Sequence, residues 1–169
     1  MTLDGLHVPA VVQLQPENVE LAVQGGYVRT YFFRRTTSYA LYVAEPARTF
    51  EQLVASPSPK RMVVTVLMPE FTQEQFRSGW RGQFAAALSP EQLRVHAHRI
   101  EQFLAAFETL RRGEQVIFDF VPSAGVRIAL RGAQRAVITD DAFAVALLSV
   151  WLDPRSIEPE LVRAMFPGS

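Results

Sequence analysis

The side chain whose surroundings most clearly indicate chemistry is Arg29. Strand alternation over residues 27–33 places it on the same face as Tyr27, Tyr31 and Phe33. A guanidinium among aromatic rings needs a partner, because an unpaired buried charge is costly. It is either an Arg at a sheet margin that stacks on Tyr and reaches solvent, or a cationic anchor in an aromatic-lined cleft suited to a carboxylate, phenolate or enolate. If Arg29 is an anchor, Arg29→Leu should weaken anion binding and leave the free protein at least as stable.

The histidines are the next candidates, because His96 and His98 form a close pair. Side chains two residues apart on a helix point about 200° from each other, whereas a helical metal chelate needs a spacing of three or four. We therefore expect no metal, with His96 beside an apolar helix face at Ile100 and His98 in solvent. The pair Asp140-Asp141 is interpreted as a helix cap, since acidic residues accept hydrogen bonds from free backbone N–H groups at a helix start.

Composition and motifs exclude several classes of chemistry. The chain of 169 residues has no Cys, so it has no disulfide, thiolate metal site or Cys nucleophile. It has no GxSxG, P-loop or GxGxxG motif, and we expect no cofactor. Seventeen basic and seventeen acidic residues give zero net charge and no long-range field to attract nucleic acid or an anionic membrane. The basic pairs Arg34-Arg35 and Arg111-Arg112 lack an interleaved aromatic platform, so no nucleic-acid binding is expected.

The N-terminal half has the patterns of strands. Short apolar runs at 11–14 and 19–23 flank Pro16-Glu17-Asn18, which predicts a hairpin, and Gly25-Gly26 predicts a turn. Residues 27–33 carry aromatic side chains on both faces and therefore favour a central strand. Further elements are predicted at residues 36–44 (strand), 50–54 (helical turns) and 61–68 (strand).

Capping signals mark two helices in the middle of the chain. Thr72 with Gln75 forms a capping box, and Ser89-Pro90-Glu91-Gln92 repeats the signal. The first helix has an apolar side chain at every fourth position, a stripe that must face a sheet or a cavity. The stripe consists of Phe76, Trp80, Phe84 and Leu88. The second helix is predicted to end at Arg111-Arg112, with Gly113 as its left-handed cap.

The C-terminal part predicts a hairpin, a third strand and a helix. The hairpin strands are at 116–121 and 126–130, and a short strand follows at 136–138. Asp140 caps an apolar helix over 142–152, which is shorter than the ~20 residues that cross a bilayer. A last short helix is predicted at residues 160–165. This order indicates an α+β fold, a largely antiparallel sheet with helices on one face, in a single domain over residues 1–169.

Seven short strings occur in a specific order and spacing along the chain. They are Gly26-Tyr27-Val28-Arg29, Ala40-Leu41-Tyr42-Val43, Glu74-Gln75-Phe76-Arg77 with Trp80, Leu88-Ser89-Pro90-Glu91-Gln92-Leu93, Ile100-Glu101-Gln102-Phe103, Asp119-Phe120-Val121-Pro122 and Ala146-Leu147-Leu148-Ser149-Val150-Trp151-Leu152. Together they resemble the bacterial chalcone isomerase-like family over residues 11–165. The resemblance implies an open-faced β-sandwich, in which a cleft lies between a large antiparallel sheet and a helical layer.

The resemblance also implies roles for individual residues. In catalytic plant members an Arg polarises the substrate, a Thr and a Tyr order a water at the ketone, and an Asn lies nearby. Arg29 resembles that Arg, and Thr37, five residues before Tyr42, resembles the Thr. The plant Tyr corresponds to Phe76 and the Asn to Gln83, so a hydroxyl is absent here. Losing such a donor costs on the order of 10² to 10³ in rate, and we expect no efficient isomerase activity.

The fatty-acid-binding relatives imply a simpler use of the site, in which an Arg and a Tyr hold a carboxylate and an apolar tunnel holds the chain. We therefore expect a non-catalytic protein that binds a small amphiphile, such as a fatty acid. Its acidic head is expected at Arg29, with help from Tyr31 or Thr37. Its apolar body is expected against Phe76, Trp80, Phe84, Phe143 and Leu147, with Gln83 beside them. Each of these aromatic side chains is also a candidate for the core.

Two other functions stay open at this point. One is an isomerase or intramolecular lyase that acts on an unsaturated carbonyl compound, with Arg29 as electrophile and Thr37 ordering water. The other is an accessory module that binds a protein partner through its sheet edge or N-terminal hairpin. Residues 1–5 have neither a positive nor an apolar segment, so no signal peptide is expected. The resemblance implies a periplasmic location, with the cytoplasm as the alternative.

Overall fold

The computed structural model describes residues 1–168, and its strands are β1 (Thr2–Leu3), β2 (Leu6–His7), β3 (Val11–Leu14), β4 (Val19–Tyr31), β5 (Arg34–Val43), β6 (Lys60–Val66), β7 (Glu70–Phe71), β8 (Leu110–Arg111), β9 (Gln115–Val121), β10 (Gly125–Leu130) and β11 (Ala133–Ile138). The largest sheet is antiparallel and has seven strands in the order β11-β10-β9-β6-β5-β4-β3. The helices are α1 (Phe50–Ala55), α2 (Gln73–Ala87), α3 (Pro90–Val95), α4 (Ala97–Ala105), α5 (Asp141–Leu152) and α6 (Pro159–Met165). The predicted α+β class is therefore confirmed.

The main core lies between one face of the sheet and the helices. The predicted stripe of α2 is buried there, and α5 is buried on most of its sides, as its nearly continuous apolar sequence requires. No helix within residues 1–168 is long and apolar enough to cross a membrane.

The capping signals place the helix starts as predicted. The Thr72 hydroxyl accepts from the Gln75 N–H at 3.0 Å, and the Gln75 side chain accepts from the Thr72 N–H at 2.8 Å. Ser89 and Gln92 make the same reciprocal pair. Asp140 accepts from the Phe143 N–H at 3.0 Å, which confirms its role as the cap of α5. Local hydrogen bonding thus determines where these helices begin.

The second predicted helix is wrong in its length. It breaks at His96 into α3 and α4, and it ends at Ala105, before the predicted last turn. Arg111 lies in β8, which pairs with β7, and Gly113 has its positive φ of 87° in the turn that precedes β9. The break lets His96 pack against the Phe143 ring at 5.9 Å, so burial against the neighbouring helix overrides the local helical pattern.

The predicted turn at Gly25-Gly26 is also wrong, because β4 continues through both residues. A Cβ atom on Gly25 would lie 2.3 Å from the Ala164 carbonyl oxygen and 2.7 Å from the Met165 Cα. Gly25 is therefore required by the close approach of the α6 backbone rather than by a turn.

A β-bulge at Gln24 changes the face to which β4 directs its side chains. The register shifts between Val23 and Gly25, so Leu21 packs on the outer face of the sheet whereas Tyr27 packs on the face that carries the helices. Gln24 itself donates to the Met165 carbonyl at 2.8 Å and accepts from the Ala47 N–H at 2.8 Å. The bulge thus aims the second half of β4, including Arg29, toward the helical layer.

The prediction of a central strand at 27–33 needs two corrections. Within residues 1–168, the stretch 27–31 pairs with β5 on one side only, because β3 pairs with residues 19–22 of β4, and β4 ends at Tyr31. Phe32 and Phe33 form the turn to β5 and are exposed. The aromatic residues at the end of this stretch therefore belong to an exposed turn. They are not buried on the two faces of a central strand.

The outer face of the sheet carries a second, smaller core. Tyr42 and Leu14 belong to it, and residues of the N-terminal segment cover them. The Tyr42 hydroxyl donates to the Pro9 carbonyl at 2.9 Å, which fixes this segment against the sheet.

Candidate ligand-binding cleft

Arg29 lies on β4 directly opposite Thr37 of β5, on the face of the sheet that carries the helices. Its guanidinium stacks over the ring of Tyr39 at 4.8 Å from the ring centroid. The Thr37 hydroxyl donates to the Tyr39 hydroxyl at 3.2 Å, and both side chains are buried. Strand pairing and alternation therefore assemble a cation, a phenol and a hydroxyl in one place.

A carboxylate from the distant end of the chain completes this group. The Arg29 Nε donates to one carboxylate oxygen of Glu158 at 3.0 Å, and an Arg29 terminal nitrogen donates to the other oxygen. The Arg29 and Glu158 side chains are 23% and 27% exposed, so the pair is partly shielded from water. This two-pronged geometry is the one by which Arg recognises carboxylates.

Electrostatics keep Arg29 charged and Tyr39 neutral. Burial acts to lower the pKa of Arg29, but Tyr39 and the Glu158 carboxylate outweigh it, so the net pKa lies above its usual value. Burial raises the pKa of the Tyr39 hydroxyl, which therefore stays protonated at neutral pH. The cleft thus offers one permanent cation and two neutral hydroxyl groups to a bound molecule.

The space on the inner side of Arg29 is small. A cavity of about 40 Å³ borders Arg29, Thr37 and Tyr39, and its other walls are mainly aromatic. Pockets for small molecules usually have volumes of roughly 300 to 1,000 Å³, so this cavity takes little more than water in the present conformation.

A second, larger pocket lies on the other side of the ion pair. It has a volume of about 310 Å³ between the ends of α2 and α5 and the segment 153–158. Gln83 and Trp151 line both spaces, whereas Glu158 lines the outer pocket and Arg29 the inner cavity. The Arg29–Glu158 pair therefore lies between the two spaces, at the point where an anion entering from outside would meet Arg29.

The structure brings together five of the residues that the sequence pointed to. Arg29, Thr37, Phe76, Trp80 and Gln83 all line the inner cavity. The close neighbours of Phe76 are the rings of Phe107 at 5.1 Å and Phe71 at 4.3 Å.

The other expected contacts lie elsewhere. Phe84, Phe143 and Leu147 are fully buried in the core and border neither space. Tyr31 is 68% exposed near the hairpin turn, away from the cavity that Arg29 lines. The helical stripe is thus divided, because its first two members face the cavity and Phe84 packs into the core.

Sequence reasoning missed Tyr39, Trp151 and Glu158. Tyr39 had a usable signal, since it follows Thr37 by two residues on the same strand face. Glu158 had none, because it reaches Arg29 across 129 positions of the sequence. Arg29 thus has a carboxylate partner in the free protein, and removing its side chain would leave the Glu158 carboxylate partly buried and unpaired. We therefore now expect Arg29→Leu to lower the stability of the free protein, in place of the sequence-based expectation that it does not.

The two histidines of the close pair lie in different surroundings. His96 is buried at the break between α3 and α4, and His98 is exposed on α4. Within residues 1–168 no three His, Asp or Glu side chains are grouped so as to hold a metal ion.

Comparison with known proteins identifies the family. The family model described as chalcone isomerase-like matches residues 1–166. The chain belongs to the chalcone isomerase-like family. Its fold is similar to the crystal structure of a fatty-acid binding protein of Arabidopsis thaliana, with a TM-score of 0.72 and 8% sequence identity over 92% of this chain and 95% of that chain. No curated protein sequence matches this chain. The predicted family and fold are therefore confirmed.

Proposed function

We propose that this chalcone isomerase-like protein is a non-catalytic binding protein for a small amphiphile with an acidic head, and that this head replaces Glu158 on Arg29. The observation that carries the proposal is the bidentate Arg29–Glu158 pair between the inner cavity and the outer pocket. Arg29 already holds a carboxylate there, so a ligand carboxylate finds a partner of the right charge and shape.

The volumes favour the outer pocket for the body of the ligand. The inner cavity of about 40 Å³ has no room for an alkyl chain, whereas the outer pocket of about 310 Å³ reaches the lower end of the usual range. Trp151 and Ile157 give this pocket apolar surface beside the ion pair. A short or medium acyl chain in this pocket would keep its carboxylate within reach of Arg29.

The structural similarity to a fatty-acid binding protein supports the chemical class of the ligand. The Arabidopsis protein with this fold is a fatty-acid binding protein, and the similarity in fold covers 92% of this chain. A periplasmic location and a bacterial source belong to the same proposal, and cell fractionation of the source organism tests the former.

The experiment compares binding of dodecanoate, by isothermal titration calorimetry, to variants at the two ends of the ion pair. Arg29→Leu removes the anchor and should weaken binding about 10- to 150-fold, the effect of a charge-assisted hydrogen bond of about 1.5 to 3 kcal/mol. Glu158→Gln removes the competing charge and should tighten binding. Glu160→Gln is the matched control, because Glu160 is exposed on α6 and its one ion pair within residues 1–168 is with Arg163 at 3.9 Å.

Changes in affinity of opposite sign for Arg29→Leu and Glu158→Gln would indicate that the ligand displaces Glu158 from Arg29. Changes of the same sign would indicate a loss of structure. If the pair merely supports the fold, both Arg29→Leu and Glu158→Gln should weaken binding together. Equal affinity of wild type and Arg29→Leu for dodecanoate would overturn the proposal. Native mass spectrometry of protein purified from cells should in addition show a retained acid.

A further inference from the structure

The turn between β4 and β5 has a backbone conformation that its residues disfavour. Tyr31 pairs with Arg34, so Phe32 and Phe33 form a two-residue turn, with φ values of 50° and 64°. Positive φ at both positions is typical of a type I′ turn, for which Asn-Gly is the preferred sequence. A Phe in this region brings its Cβ close to the backbone, a clash that Gly avoids.

The same residues are exposed to solvent. Tyr31, Phe32 and Phe33 have exposed fractions of 68%, 78% and 103%, and Phe32 contacts Tyr31 edge-on at 4.5 Å. Neither Phe belongs to either hydrophobic core. The positive-φ backbone disfavours the folded state, and the exposed rings gain no burial energy from folding. The stability of the fold therefore does not explain why aromatic residues occupy this turn.

Two arginines stand at the base of these rings. Arg34 and Arg35 are exposed, and Arg35 donates to the Asp4 carbonyl at 3.0 Å. Within residues 1–168 neither guanidinium has a carboxylate at ion-pair distance, whereas ten other Arg residues do. Residues 31–35, here termed the aromatic tip, thus combine projecting rings with uncompensated positive charge.

We propose that the aromatic tip docks the protein onto an anionic lipid surface, with Phe32 and Phe33 in the boundary between headgroups and acyl chains and the two arginines on lipid phosphates. Rings of this kind lie stably at a membrane interface, and each nearby basic residue is attracted by anionic lipids. The proposal does not depend on the function of the cleft, since it stands on the turn alone.

The size of the tip favours a membrane over a protein partner. A stable protein interface usually takes roughly 20 to 30 residues on each side, whereas the aromatic tip has five at the end of a narrow hairpin. A bilayer interface accepts a few projecting rings without a matching surface. Because the chain has zero net charge, the attachment should be reversible and depend on these few side chains.

The experiment measures co-sedimentation of the full chain with vesicles of phosphatidylcholine alone or mixed with phosphatidylglycerol, at low and high salt. Wild type should bind the phosphatidylglycerol vesicles more tightly, and salt should weaken this binding. The double substitution Phe32→Asn with Phe33→Gly should reduce binding about 100-fold, since each buried ring accounts for roughly tenfold. The same variant should melt at a higher temperature than wild type, because its residues suit the turn.

Further variants separate three contributions to vesicle binding: the positive charge, the aromatic rings and nonspecific adsorption through exposed apolar side chains. Arg34→Gln should weaken binding to phosphatidylglycerol vesicles and leave binding to phosphatidylcholine unchanged. Val95→Asn is the matched control, since Val95 is 66% exposed on α3 and should not alter binding. Phe33→Asn alone serves as a second test of the rings.

Equal binding by wild type and the double variant Phe32→Asn with Phe33→Gly would overturn the proposal. No binding of wild type to phosphatidylglycerol vesicles at low salt would also overturn it. So would a protein partner that requires the tip when vesicles do not bind.

Discussion

Arg29 is compensated in two ways before any ligand arrives. The Tyr39 ring lies beneath it and the Glu158 carboxylate accepts two of its hydrogen bonds. Removing one partner of such a pair leaves the other charge partly buried and unpaired, which is worse than removing both. The anchor of the proposed site is therefore also part of the fold.

This view predicts a non-additive pair of substitutions. Arg29→Leu should lower the free energy of unfolding by roughly 1 to 3 kcal/mol, between the values for exposed and fully buried ion pairs. Adding Glu158→Leu should recover most of this loss, because the unpaired carboxylate is removed. Urea denaturation of the wild type, both single variants and the double variant measures the coupling. Additive losses would contradict it.

The buried charge of Lys60 leads to a second prediction, which concerns the pH dependence of stability. Lys60 is the only Lys of the chain, it is 5% exposed, and its Nζ donates to the Ser56 carbonyl at 3.1 Å. Burial lowers its pKa below the usual 10.5. Between the lowered folded pKa and 10.5 the unfolded chain binds more protons than the folded one, so this residue makes stability rise with pH across that window.

Lys60→Met should therefore stabilise the protein most at neutral pH, where the buried charge is fully present in the wild type. The difference between variant and wild type should shrink as the pH rises toward 10.5. Denaturation curves of both proteins from pH 7 to 10.5 measure it, and the difference between them cancels the titration of the tyrosines. If the difference in free energy of unfolding between Lys60→Met and wild type stays constant or widens with pH, the buried charge is not its cause.

At the residue scale, the sequence predicted the site residues whose positions follow from local strand and helix geometry. It missed the residues that reach the site through contacts between distant parts of the chain. Alternation placed Arg29 correctly relative to the cleft, and Phe76 and Trp80 followed from helical spacing. Glu158 was not accessible, since no local pattern relates positions 129 residues apart. The sequence also did not predict which rings of the α2 stripe line the cavity and which are buried in the core. That division depends on how the sheet packs against each ring.

At the scale of elements, hydrogen-bonded capping proved more predictable than strand continuity. The capping boxes at Thr72 and Ser89 are local and appear where predicted. Gly25, in contrast, resembles a turn residue in sequence, and its actual role depends on the α6 backbone that approaches it. The break at His96 is similar, since the Phe143 ring that it packs against belongs to another helix.

The explanation of Gly25 predicts a large effect from one methyl group. Gly25→Ala should destabilise the protein by about 1 to 3 kcal/mol or more, because the new Cβ would meet backbone atoms that cannot move independently. Gly82→Ala is the matched control in α2, where no atom lies within 4 Å of the added Cβ. This control should gain roughly 0.5 to 1 kcal/mol from helix propensity. Thermal denaturation of both variants tests the contrast, and a neutral Gly25→Ala would show that α6 can withdraw.

For the whole molecule, the balance between core and cavity decides what chemistry the fold supports. The rings of Phe76, Trp80 and Phe107 pack together over the sheet and leave about 40 Å³ beside Arg29. The same layers would need to separate to admit a molecule with two aromatic rings. Family membership fixes the architecture, whereas this packing determines how much of the cleft is open.

The packing predicts that the purified protein does not convert naringenin chalcone to flavanone above the spontaneous rate. Cyclisation needs hydrogen-bond donors aimed at the developing enolate, and Phe76 has no hydroxyl to supply one. Arg29 is occupied by Glu158, and the cavity beside it is too small for the substrate. Loss of chalcone absorbance and chiral chromatography of the product measure the reaction. Phe76→Tyr should stay inactive, because a single hydroxyl does not supply the space or the remaining donors. Glu158→Gln should also stay inactive, although it frees Arg29 from its carboxylate partner. Stereoselective product formed by substoichiometric wild type or by this variant would contradict the prediction and identify the cleft as an active site.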